Sequence, residues 1–197
     1  MRTLPPTLFL PEGKIQRMDL FPTYVYDVEC YDLVDDVLEV LDKIEWRQHR
    51  SESVFALKDY PEVTKIFEDR LSYTVSELEY QVSSFKMTTS WFTHNSPEQG
   101  IPSHYHTNSF LSSVFYMDDN CGCLSFSKEE SGITVVSKTG NHVAHIPCKK
   151  GHMLVFPSSV KHHVRGVPSK DNRERYSLAM NFMPDGECGM HDSLYCY

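Results

Sequence analysis

From Val28 onward the apolar positions recur with a helical period. Cys30, Val34, Val37, Leu38, Leu41 and Ile44 are separated by four, three, one, three and three residues, which predicts one face of a helix. Asp35, Asp36, Glu39 and Asp42 fill the remaining positions, as a solvated face would. A second helical pattern is expected from Asp59. Asp59 reads as its N-cap, Pro61 suits the first turn, and Glu62 completes a box-like spacing. The stripe Val63, Ile66, Phe67, Leu71, Val75, Leu78 and Val82 then runs as one long helix or two shorter ones. Residues 1–26, rich in Pro and aromatics, read as an extended entry segment.

Beyond Val82 the period changes to that of strands. Phe85, Met87, Thr89 and Trp91 alternate through a stretch rich in Ser and Thr. Further short strands are expected at Phe110–Met117, Cys123–Ser127, Ile133–Ser137, His142–Ile146, Met153–Phe156, His163–Gly166 and Tyr176–Met183. Turn signals such as Asp118-Asp119-Asn120, Thr139-Gly140-Asn141 and Lys149-Lys150-Gly151 separate them. Many short strands at this spacing predict a β-sandwich or barrel. The simplest arrangement is mainly β: two helices packed on one face of a double-sheet, jelly-roll core. We expect one domain over 1–197, with the entry segment and helices in 1–82 and the core in 83–197.

Composition narrows the function. The chain has 197 residues, 40% hydrophobic and 23% charged, an ordinary globular mixture. Acidic residues outnumber basic ones by 27 to 19, for a net charge of −8, so the basic footprint of a nucleic-acid binder is missing. No run approaches the length of a membrane span, and the first residues lack the apolar core of a signal peptide. The six cysteines (Cys30, Cys121, Cys123, Cys148, Cys188 and Cys196) are therefore expected to be reduced, with a Cys188–Cys196 pair as the alternative. A cytoplasmic protein is expected.

The histidines change the picture most. There are ten, and eight lie between His94 and His163. If His104-Tyr105-His106 is extended, its two imidazoles point to one face and can reach one metal ion. His162, in His162-His163, follows an apolar strand and a Pro-Ser turn 58 residues later, and a sandwich can bring the two segments together. Two His and a carboxylate on one face commonly hold a catalytic iron with open positions; here His106 stands where the carboxylate would be. The plain alternative is that the histidines are structural. His94, His142, His145, His152 and His191 are expected to be structural or surface groups, and His163 to point away from His162.

Arg175 lies in a strand-like run in which Arg175, Ser177, Ala179 and Asn181 share one face. An inward arginine beside a hydroxyl reads as a carboxylate receptor, and a surface salt bridge is the alternative. Arg173 is nearby, but the strand phase favours Arg175.

The ordered set His104-x-His106, the strand Leu111–Tyr116, Phe156-Pro157-Ser158-x-x-x-His162-x-Val164, Arg175-x-Ser177 and Asn181 resembles the iron(II)/2-oxoglutarate-dependent oxygenases. More narrowly, it is similar to the small 2OG-Fe(II) oxygenases of bacteria and phages. The resemblance covers roughly Trp91 to Phe182, about half the chain. It implies a double-stranded β-helix, cupin-like, buttressed by N-terminal helices, and a dioxygenase using Fe(II), 2-oxoglutarate and O2. Such an enzyme hydroxylates a C–H bond and releases succinate and CO2. The resemblance makes His104, His106 and His162 the metal ligands, with no catalytic residue beyond them. It gives Arg175 the far carboxylate of 2-oxoglutarate, assisted by Ser177 and Tyr116, and puts Asn108 and Asn181 in the pocket.

His106 departs from the family pattern, in which most members carry Asp, and it removes one negative charge from the site. Otherwise His106 is not a ligand and water fills its place, or it orients substrate, or Asp118 or Asp119 supplies an acid. Competing readings are a three-His cupin-type dioxygenase that does not use 2-oxoglutarate and a non-catalytic jelly-roll binding protein. The expected substrate is a protein side chain or a small metabolite, not nucleic acid and not a membrane, in a bacterial cell or a phage-infected host.

Overall fold

In the computed structural model the described residues are 23–96, 98–119, 122–127, 143–166 and 174–196, the His191 side chain excepted. The strand expected at Ile133–Ser137, together with Cys121, His142, Arg173 and residues 1–22, lies outside them.

The strand β1 (Tyr26–Glu29) pairs antiparallel with a later strand, so the first helix starts later than its apolar period suggests. A single 3-10 turn (Tyr31–Leu33) leads into α1 (Val34–Leu41), whose first turn carries Asp35 and Asp36 where the helix dipole favours acids. Leu33, Val34, Val37 and Val40 form its buried stripe. A short hairpin follows: β2 (Trp46–Arg47) and β3 (Arg50–Ser51). The sequence carries no sign of it, because its turn, Gln48-His49, holds neither Gly nor Asn.

Helix α2 (Pro61–Thr74) is capped at Tyr60, not at Asp59, and with no side-chain cap. The Tyr60 N–H bonds to the Leu57 carbonyl in the preceding turn, which places Pro61 at the first helical position, where a missing N–H costs nothing. A 3-10 turn (Val75–Leu78) extends α2, and Glu79, at φ 49°, ends it. Glu68 is buried on this helix and was not expected there. Its carboxylate accepts the Met87 N–H at 2.9 Å and so ties α2 to the next strand.

The core strands are β4 (Phe85–Asn95), β5 (Ile101–His104), β6 (Leu111–Tyr116), β7 (Cys123–Ser127), β8 (Val143–Pro147), β9 (His152–Pro157), β10 (Lys161–Val164) and β11 (Arg175–Pro184). They form two antiparallel sheets, with the order β1-β9-β6-β11-β4-β3-β2 in one and β5-β10-β7-β8 in the other. The larger sheet carries an apolar cluster on each side. Its outer face (Phe85, Phe92, Phe115, Met153, Leu178, Phe182) packs on Val37, Phe67 and Leu71 of the helices. Its inner face supplies Tyr116, Leu154 and Phe156 to a second cluster with Leu124 and Phe126 of the smaller sheet.

The alternation expected along β4 does not keep one phase. The register shifts where Asn181/Phe182 meets Thr89/Met87, leaving Thr88 as an extra residue. Phe85 and Met87 therefore face the helices, while Thr89 and Trp91 sit in the inner phase. Cys188 and Cys196 lie on a small terminal hairpin and are free thiols, so the alternative disulfide is not formed.

Candidate metal centre and its cavity

His104 and His162 are register partners across β5 and β10, so the antiparallel ladder itself sets the two imidazoles side by side. Their ring centroids are 4.4 Å apart. His106 was expected on the same strand, but β5 ends at His104. The residue is delivered by a different device: its N–H donates to the Ser158 carbonyl at 3.0 Å. That tether brings its ring to 5.2 Å from His104 and 5.1 Å from His162. One nitrogen from each of the three lies within 4.8 Å of the others, and among the described residues no carboxylate joins the group. Tyr105 is exposed, and His163 pairs with Ser125 one residue out of phase with His162.

Backbone carbonyls settle the tautomers of two of these rings. Nδ1 of His104 donates to Pro102 O at 2.8 Å, and Nδ1 of His162 donates to Val160 O at 2.9 Å. In each case Nε2 is left with its lone pair, the state a metal ligand needs. Burial pushes the His162 imidazole down to about 4, and burial reinforced by neighbouring His104 pushes His106 down to about 4. Both rings are neutral at pH 7. The donor set, three imidazoles with a nitrogen of each within 4.8 Å of the others, suits a divalent transition metal. Phe156 (4.8 Å), Phe126 (6.3 Å) and, beside His106, Trp91 (5.5 Å) wall the site.

The histidines open on a cavity of about 510 Å³, within the range of small-molecule sites. Arg175, Ser177, Tyr116 and Cys148 line it. Arg175 is buried, and one of its NH2 groups donates to the carbonyls of Ser96 (3.1 Å) and Gln99 (2.7 Å). Ser177 is hydrogen-bonded to Thr93 at 2.7 Å and is the register partner of Tyr116. The Cys148 thiol is pushed up to about 11 by burial, so it is no nucleophile at neutral pH.

The two asparagines expected in the pocket are not among the residues lining it. Asn108 is exposed in a left-handed turn at φ 56°. Asn181 keeps the inward phase but serves as an anchor. It accepts from Ser112 (2.7 Å) and donates to Thr89 (3.0 Å), while Ser112 bonds Ser158 (2.8 Å), whose carbonyl holds His106. This serine-asparagine network and the β2–β3 hairpin were missed. The serines were visible in the sequence, but nothing there linked their separated positions. Asp119 accepts the Lys150 N–H, a turn role, and does not join the histidines. His94, His145 and His152 are hydrogen-bonded to Gln48, Ser125 and Asp27, as expected of structural groups.

Residues 89–181, which hold all three histidines and Arg175, match the model of the family described as "Putative 2OG-Fe(II) oxygenase". Over these residues the chain matches a 2OG-Fe(II) oxygenase domain. No curated protein matches it in sequence. Among solved structures, the chain is similar in fold to a 2OG-Fe(II) oxygenase family oxidoreductase from Burkholderia pseudomallei. The identity is 11% and the TM-score 0.61, over 80% of this chain and 83% of that one. HygX from Streptomyces hygroscopicus with nickel and 2-oxoglutarate bound is 10% identical with a TM-score of 0.53, covering 82% of each chain. The viral collagen prolyl hydroxylase vCPH from Paramecium Bursaria Chlorella virus-1, in a 2OG complex, is 12% identical with a TM-score of 0.54, over 81% of this chain and 94% of that one. At these identities the likeness is one of fold, the double-stranded β-helix. No helix among the described residues is long and apolar enough to cross a membrane.

Proposed function

We propose that the oxygenase domain uses Fe(II), 2-oxoglutarate and O2 to hydroxylate a C–H bond of a protein side chain or a small metabolite. The observation that carries this reading is the convergence of three imidazole donors on a cavity that also holds a buried arginine. His104, His106 and His162 hold the metal. Bound with 2-oxoglutarate and O2, iron supplies the oxidising power and the co-products are succinate and CO2. The backbone carbonyls of Pro102 and Val160 keep Nε2 of two ligands aimed inward, and the Ser158 carbonyl keeps the third in place.

Arg175 receives the far carboxylate of 2-oxoglutarate, because a buried guanidinium in the cavity lining binds a carboxylate as a fork. Along β11, Ala179 pairs with Trp91, Ser177 pairs with Tyr116, and Arg175 pairs with Asn95. The oxoacid would lie along this strip, with Ser177 and Tyr116 as hydrogen-bonding neighbours. Orientation by two fixed ends is what makes the reacting geometry reproducible.

The absence of a carboxylate among the three donors favours one rival, a three-His dioxygenase that oxidises its substrate directly. The buried Arg175 favours the oxoacid enzyme. Incubating purified protein with Fe(II), ascorbate and 2-oxoglutarate decides between them. Fe(II)-dependent succinate, abolished by His162→Ala, supports our reading. Metal binding without succinate in the presence of candidate substrates overturns it.

A further inference from the structure

The β2–β3 hairpin carries two arginines that the chemistry above does not use. Arg47 and Arg50 are register partners across it, so their side chains leave the same face with Cβ atoms about 5 Å apart. Like charges placed directly opposite destabilise a strand pair. Both residues are exposed, and both line the cavity. Among the described residues neither guanidinium has an ion-pair or hydrogen-bond partner. Among the described residues Arg47, Arg50 and Arg175 share the cavity lining with a single carboxylate, Glu52, although the chain as a whole carries a net charge of −8.

The hairpin is held firmly. Arg50 pairs with Thr93 of β4, and the His94 N–H donates to His49 O at 3.0 Å. Nε2 of His94 donates to Gln48 O at 2.9 Å, which secures Gln48 in a left-handed conformation (φ 59°) that few side chains tolerate. The Ser51 hydroxyl accepts the Phe92 N–H at 3.1 Å. On the same hairpin the Trp46 ring packs 4.6 Å from His94 and 5.9 Å from Tyr176. Two like charges are thus fixed side by side at the solvent edge of a cavity, and among the described residues neither is ion-paired.

We infer that Arg47 and Arg50 form an oxyanion clamp at the rim of the cavity, which receives a carboxylate or phosphate group of the primary substrate. The inference rests on reading the cavity as the oxygenase active site. It divides the anions between two places: the buried Arg175 takes the oxoacid and the exposed pair takes the substrate. Forked guanidiniums suit both kinds of oxyanion.

The test uses the full chain, 15N-labelled and loaded with Zn(II) and saturating 2-oxoglutarate. N-acetylglutamate and O-phosphoserine serve as the carboxylate and phosphate probes, and N-acetylserinamide as the uncharged control. The Trp46 indole N–H resonance reports the hairpin, and the Trp91 indole N–H, beside His106, reports the metal site. The expected result is a saturable Trp46 shift with a charged probe, weakened about tenfold or more in Arg47→Gln/Arg50→Gln and suppressed by about 0.5 M salt. Which probe binds more tightly identifies carboxylate or phosphate. The clamp is overturned if no charged probe moves Trp46, if the control moves it equally, or if the double variant binds as well. Both arginines are exposed, and an unchanged Trp91 resonance verifies that the variant is folded. If Trp91 fails to respond to Zn(II) and 2-oxoglutarate, the functional reading fails by itself, and the Trp46 result still decides the clamp.

Discussion

Acid should weaken metal binding far less here than at a site of ordinary imidazoles. Protons compete with metal for a histidine nitrogen, so affinity follows the neutral fraction of each ligand. An imidazole with the ordinary value near 6.5 is about 90% neutral at pH 7.5 and about 10% neutral at pH 5.5, a roughly tenfold loss per ligand. His106 and His162, pushed down to about 4 by burial, stay almost wholly neutral over that range. Between them they spare a factor of about a hundred. Titration calorimetry with Zn(II) at pH 7.5 and 5.5, in a non-coordinating buffer, measures this. The account predicts a fall in affinity well under a hundredfold. A fall of a hundredfold or more would refute the claim that burial holds these two rings neutral. His162→Ala should abolish the site at both pH values.

Three further outcomes follow from the same structure. The metal-free protein should lose stability on acidification: the unfolded chain protonates His162 near 6.5 and the folded chain only near 4, so stability is full above about 6.5 and declines as pH falls toward 4. For the buried His162 alone this costs about 2 kcal/mol between pH 7 and pH 5, and His106 adds in the same direction; urea melts at the two pH values check it, and a flat profile contradicts it. Glu68→Ala leaves the Met87 N–H without its acceptor and should cost about 1–3 kcal/mol, lowering Tm by roughly 2–4 °C per kcal/mol in a differential scan; an unchanged Tm would show that α2 does not depend on this bond. Phe67→Ala removes a fully buried ring that packs on Phe115 at 5.4 Å and should cost about 3–5 kcal/mol in a denaturant melt, while succinate formed per folded molecule stays unchanged.

The parts of the fold legible in the chain were those whose side chains alternate against a core. β6, β9 and β11 send Phe115, Met153 and Leu178 to one side and Tyr116, Leu154 and Ser177 to the other, and that period is written in the residues. Features set by long-range pairing left no local trace. The β4 bulge appears only when β4 is laid against β11. The hairpin at Trp46–Ser51 has no turn chemistry of its own and is held by His94 and Phe92, more than forty residues away.

Of the candidate site, the three histidines carried a spacing, but the reason they meet did not. His104 and His162 meet through strand register, and His106 meets them through a backbone bond to Ser158. The inward phase of Asn181 was readable, whereas its partners were not. Its place beneath Ser112 and Ser158 makes it a support for His106 and not part of the cavity lining.

A crystal grown without oxygen and soaked with Mn(II) and 2-oxoglutarate tests the central claim most directly. The account predicts one Mn(II) bound by His104, His106 and His162, chelated by the oxoacid, with the far carboxylate on Arg175. A metal that leaves His106 unbound, or an oxoacid that does not reach Arg175, would contradict it.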